Sequence, residues 1–237
     1  MKCRVIGLAV VQLTVFSILV VRAQTAPEKG APKAPEGHVI VDEQDWLALE
    51  NDLPRDFHQA REDFLKRDFQ AAALRIRKGV TFLKVEAARA SGDTKQALLT
   101  LAGELEKLAS DVEKDTVRSV KDLDDAFVHT HYALAKHHHE QALAYQAKKD
   151  YKKAGYYLAA AVLHFEQASA WAGHKIDAAA ADVTDDARIV SNKLIKGADW
   201  TSSEVEKAFE ALDKEIERLA HTIYPGYEKL TRAMEHP

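Results

Sequence analysis

Two stretches decide the fold: QAREDFLKRDFQAAALRIRKGVTFLKVEAARA, residues 59–90, and QALAYQAKKDYKKAGYYLAAAVLHFEQASAWA, residues 141–172. Laid over each other at an offset of 82 residues, they pair Gln59 with Gln141, Lys66 with Lys148, Asp68 with Asp150 and Val80 with Val162, and Phe69 with Tyr151 conservatively. Four further identities are alanines, which any two alanine-rich helices share, so the turns carry the argument. At the same offset SVKDLDDAF from Ser119 falls on TSSEVEKAF from Thr201. That pairs two capping boxes, in which a Ser or Thr is followed three residues later by an acid, and also the dipeptides Ala126-Phe127 and Ala208-Phe209.

Outward from this duplication the chain reads as helix almost throughout. From Arg55 to Tyr224 there is no proline, and Ala, Leu, Glu, Lys, Asp and Gln dominate. Apolar residues recur every three or four positions: Trp46, Leu49, Leu53, Phe57, Ala60 and Phe64; then Phe69, Ala73, Ile76, Val80, Leu83 and Ala87; then Leu98, Leu101, Leu105, Leu108 and Val112. Pro54 is expected to kink or divide the first stripe. Breaks fall at Lys66-Arg67-Asp68, at Ser91-Gly92-Asp93 and between Asp115 and Ser119. The expected fold is all-α, an elongated helical bundle or repeat of about seven helices. Two three-helix units, 41–118 and 119–200, are related by the duplication, and a C-terminal helix and tail, 201–237, follow, with Pro225-Gly226 as the stop.

The N-terminal sequence has a different character. Lys2 and Arg4 precede an apolar run from Val5 to Val21, and Val21-Arg22-Ala23 suits cleavage, so residues 1–23 read as a signal peptide and the protein as periplasmic or secreted. Cleavage removes Cys3, the single cysteine, and with it disulfides, thiol catalysis and cysteine-ligated zinc. It also takes the formal charge from −4 to −7 by removing Lys2, Arg4 and Arg22. No basic block remains to neutralise phosphates, so nucleic acid is not an expected partner. No later stretch approaches the ~18 apolar residues of a membrane span. Residues 24–40, with Pro27, Pro32 and Pro35, read as a disordered tether.

Within each unit the turn and its flanks resemble a tetratricopeptide-type helical hairpin. In the second unit Ala142, Tyr145, Ala154, Leu158 and Ala161 stand where that family places its small and aromatic packing residues. The resemblance spans about 35 residues per unit, without the family's proline after the second helix or its ~34-residue period. It implies a helical scaffold that binds a partner in a groove, and no catalysis.

The chemistry-bearing feature is HTHYALAKHHHEQALAY, residues 129–145, with five histidines. On a helix, Leu123, Phe127, His131, Leu134, His138 and Tyr145 share one stripe, while the register projected from the first unit turns Ala135, His139 and Ala142 inward and keeps His131. His137 and one of its neighbours are expected to point elsewhere, because three consecutive helical residues fan over about 200 degrees and cannot converge on one ion. No two histidines here have the i, i+3 or i+4 spacing of a one-helix metal site. His131 and His138 lie about 10 Å apart along the axis at ~1.5 Å per residue. HEQAL from His139 has Leu143 where a zinc-protease motif needs its second histidine. A site is therefore expected only across helices, from His131 or His138 with His164, which lies over Phe82 of the first unit.

Two functional readings follow. The first is an exported, non-enzymatic helical scaffold that binds a protein partner or self-associates, without a cofactor. The alternative is a histidine-dependent transition-metal protein holding Zn, Ni or Cu, with His129, His131, His138, His139 and His164 as candidate ligands. A bundle enzyme is disfavoured: there is no GxSxG, phosphate loop, EF-hand loop or mature cysteine to supply a nucleophile or ligand set.

Overall fold

The computed structural model describes residues 51–173 and 176–224. The leader, the tether, Trp46, Leu49, His174 and the tail from Pro225 lie outside the described residues. Within them the chain is all-α, with seven helices and no strand: α1 (Asp52–Leu65), α2 (Phe69–Arg89), α3 (Gly92–Glu113), α4 (Val120–Ala147), α5 (Tyr151–Trp171), α6 (Ala178–Lys196) and α7 (Ser202–Ile223). No described helix is long and apolar enough to cross a membrane. The part of the Trp46–Phe64 stripe that precedes Pro54 lies largely outside the described residues, and α1 begins two residues before the proline. Pro54 stands in the first turn, where its missing N–H has no intrahelical partner to lose.

The two repeats turn alike, bond for bond. After α1, Lys66, Arg67 and Asp68 donate their amides to the carbonyls of Glu62, Phe64 and Asp63. Eighty-two residues on, Lys148, Lys149 and Asp150 donate to Ala144, Gln146 and Tyr145. Arg67 and Lys149 adopt left-handed φ of 64° and 61°. The next residue in each case, Asp68 or Asp150, caps the following helix by accepting from the amide of Ala71 or Lys153. The ends of α3 and α6 match in the same way, with left-handed Asp115 (53°) and Gly197 (64°). Ser119 then caps α4 and Thr201 caps α7.

Helices adjacent in sequence pack together, and α4 also touches α1 and α7. The apolar interior falls into two clusters. One joins α1, α2 and α3 with Leu123, Phe127 and Leu134 of α4; the other joins α5, α6 and α7 with Tyr132, Ala135 and Ala142 of α4. Helix α4 thus serves both cores and buries twelve of its 28 residues. Burial on several sides is why both stripes read from its sequence face inward, His131 and His138 on one and Ala135, His139 and Ala142 on the other.

Close approach of α5 and α6 depends on Gly155. A Cβ there would lie 2.8 Å from the Ser191 carbonyl oxygen and 2.9 Å from Leu194 Cβ. Backbone cannot yield as a side-chain tip can, so Gly155→Ala is expected to destabilise by roughly 1–3 kcal/mol. Gly103, with nothing within 4 Å of an added Cβ, is the control. Gly103→Ala should be neutral or stabilising by up to about 1 kcal/mol. Urea midpoints of the two variants check the pair.

Candidate metal centre

At the seam between the two cores, α2, α4 and α5 bring together five polar side chains, all 0% exposed: Glu86, His131, His137, His138 and His164. Glu86 comes from the face of α2 turned to α4. His137 Nε2–H donates to Glu86 Oε2 at 3.0 Å, and His138 Nδ1 lies 3.9 Å from the same oxygen. One ligand atom from each of Glu86, His137 and His138 lies within 4.8 Å of the other two. Arg89 Nη1, one turn along α2, is 3.6 Å from Glu86 Oε1 and 3.5 Å from the Tyr157 hydroxyl. It gives the buried carboxylate a cationic neighbour.

His131 and His164 form the adjoining pair, with their Nδ1 atoms 2.9 Å apart. Only one proton fits between them, so one ring donates and the other accepts. Phe57 lies edge-on to His131, and Phe82 to His164. The ring of His138 lies 5.3 Å from His164 and 5.2 Å from His137, centroid to centroid.

This environment holds the imidazoles neutral. Burial pushes His131 and His138 well below the ordinary histidine value, and charge–charge repulsion adds to it, from His164 and His58 for His131 and from His164, His137 and Arg89 for His138. His164 is lowered to about 3 by burial and then by His137. Neutral imidazole is the ligand form of histidine. Among the described residues Glu86 Oε1, His131 Nε2 and His137 Nδ1 have no hydrogen-bond partner, a cost of about 1–3 kcal/mol for each such buried atom.

The distances suit an ion. Two ligands on a tetrahedral centre with bonds of about 2.1 Å lie about 3.4 Å apart, and the 3.0 and 3.9 Å separations bracket that value. The donor set, imidazole with one carboxylate, belongs to first-row transition ions and not to Mg²⁺ or Ca²⁺.

Of the five histidines singled out in the sequence, three gather here: His131, His138 and His164. The other two do not. His129 is half-buried and stacks on Tyr224 at 4.7 Å in a cleft of about 680 Å³ between α3 and α4. His139 turns to α7, where Nε2–H donates to the Phe209 carbonyl at 3.0 Å and Nδ1 is 3.5 Å from Asp213. His137 corrects the expectation that it points elsewhere. Three consecutive histidines do diverge, yet two adjacent ones reach a single carboxylate on the facing helix.

Glu86 is the residue that sequence reasoning missed. Its signal was a charged residue between Leu83 and Ala87, on a helix whose buried face also takes in Gly79 and Phe82. No family model matches the chain, and no similar curated protein or solved structure is found.

Proposed function

We propose that this chain is an exported, non-enzymatic protein that binds one first-row transition ion, zinc being the best fit, between its two helical repeats. The observation that carries the reading is the convergence of Glu86, His137 and His138, three fully buried donors from two helices. A seam lined by apolar side chains of similar volume would be as stable or more so, since buried ionisable groups are costly unless fully partnered. Their presence in a core otherwise built of Ala, Leu and Phe is accounted for if an ion completes their coordination. Export rests on the leader read from residues 1–23.

The scaffold reading stands as the second, on one observation. The cleft between α3 and α4 is lined by Leu101, Tyr132, Ala133 and Tyr224, with Glu104 and Lys136 at its border, a surface that a protein partner or a second copy could cover. Co-purification of a stoichiometric partner would favour it.

Calorimetric titration of the tag-free protein with Zn²⁺, Ni²⁺ and Cu²⁺ at about pH 7.5 tests the metal reading. One saturable equivalent with micromolar or tighter affinity is expected, weakened at least ~100-fold in Glu86→Gln and in His137→Gln, each of which removes a direct ligand. No uptake, or weak uptake that both variants retain, would sink it.

A further inference from the structure

Three ligands leave one position of a tetrahedral ion to fill, and the site is too deeply buried to supply it readily from bulk water. We propose that His164 is the fourth ligand, giving a centre of three imidazoles and one carboxylate, and that His131 is the positioning residue that orients His164. The proposal rests on the metal reading above and extends it to α5.

The geometry points to His164 for three reasons. First, two imidazoles on one tetrahedral ion have ring centroids about 5 Å apart, from bonds of ~2.1 Å and the size of the ring. His137 to His138 is 5.2 Å and His138 to His164 is 5.3 Å, so both neighbouring pairs have that spacing; the nitrogens of His164 stand outside the 4.8 Å cluster of Glu86, His137 and His138, and its ring must turn inward to close on the ion. Second, His164 is confined: Phe82 lies edge-on at 6.4 Å and His131 packs against it at 5.1 Å. Third, the contact between the two Nδ1 atoms assigns the roles. When His164 donates Nδ1–H to His131 Nδ1, its unprotonated nitrogen is Nε2, the form of the ring that ligates an ion. That is the usual arrangement of a metal-bound histidine, whose other ring nitrogen is held by a hydrogen-bond acceptor. His131 then carries its proton on Nε2 and ligates nothing. In the opposite tautomer His164 would present an N–H to the centre and repel a cation, so the direction of this one hydrogen bond decides whether α5 takes part.

The duplication supplies a well-fitting substitution. Phe82 stands 82 residues before His164, so His164→Phe places there the ring that the first repeat uses. Co²⁺ serves as the probe on the full, tag-free chain, because four-coordinate Co²⁺ absorbs visible light far more intensely than six-coordinate Co²⁺. The unmodified protein is expected to show the intense four-coordinate spectrum. His164→Phe should bind Co²⁺ roughly 100-fold more weakly and lose that spectrum. His131→Leu should keep the spectrum and lose about 10-fold to 100-fold in affinity. His131→Asn, whose amide oxygen can accept from His164 Nδ1–H, should recover most of that loss, which a merely structural role for His131 would not predict.

X-ray absorption at the zinc edge of the unmodified, zinc-loaded protein provides a readout independent of variant folding. Three imidazoles and one carboxylate oxygen are expected. Two imidazoles, or a His164→Phe variant with unchanged spectrum and affinity, would overturn the role of His164 and leave the three-ligand reading intact. No uptake of either ion by the unmodified protein would overturn both.

Discussion

Acidifying the metal-free protein from about pH 7.5 to about pH 5 is expected to destabilise it strongly. His131, His138 and His164 are held neutral by burial, His164 with a value of about 3. The unfolded chain protonates them near the ordinary value of about 6.5. Below that pH the unfolded state binds more protons than the folded state, so this stability is present above about 6.5 and is lost as the pH falls, for His164 until about 3.

A site that stays neutral in the folded protein and charges in the unfolded chain costs up to about 1.4 kcal/mol per pH unit, a sizeable part of a domain stability of about 5–15 kcal/mol. The groups facing these rings offer little relief. His58 of α1, Arg89 of α2 and His137 of α4 disfavour a charge on these rings, and among the described residues Glu86 is the carboxylate in contact. Far-ultraviolet circular dichroism with urea midpoints at about pH 7.5, 6 and 5 measures the effect. A midpoint that stays put across that range would mean that the imidazoles reach water or a counterion in solution.

Zinc should produce the second large effect, in the opposite direction. An ion that binds the folded protein and not the unfolded chain stabilises it by about 4 kcal/mol when free ion exceeds Kd 1,000-fold. For a chain of this size 1 kcal/mol corresponds to roughly 2–4 °C, so Tm should rise by roughly 10 °C. The rise should vanish with a chelator and in Glu86→Gln. Differential scanning calorimetry at fixed protein concentration reads all three. An unchanged Tm at saturating zinc would leave the buried carboxylate and imidazoles as a structural network without an ion.

The centre could be read only in part before folding. His131, His138 and His164 stood out because helical periodicity placed two of them on an inward stripe, and the duplication set His164 over Phe82. Periodicity could not separate His137 from His139, since one face of α4 meets α2 and another meets α7. Glu86 was hidden for a related reason. Periodicity sets Glu86 at the edge of the stripe through Leu83 and Ala87, where a glutamate reads as a solvated flank, whereas α2 is an inner helix with a wider buried face.

What the sequence by itself determined is the series of seven helices, their breaks and their repetition. Helix propensity, capping by Asp68, Ser119, Asp150 and Thr201, and the hydrogen bonds of each turn act between residues at most five apart in the chain, so two copies of the pattern fold to the same turn. What only the tertiary structure decided is which polar residues meet. Glu86 and His137 are 51 residues apart, and His131 and His164 are 33 apart. Each pair is brought to hydrogen-bonding distance by how α2 and α5 cross α4, and that crossing is set by packing across both cores at once.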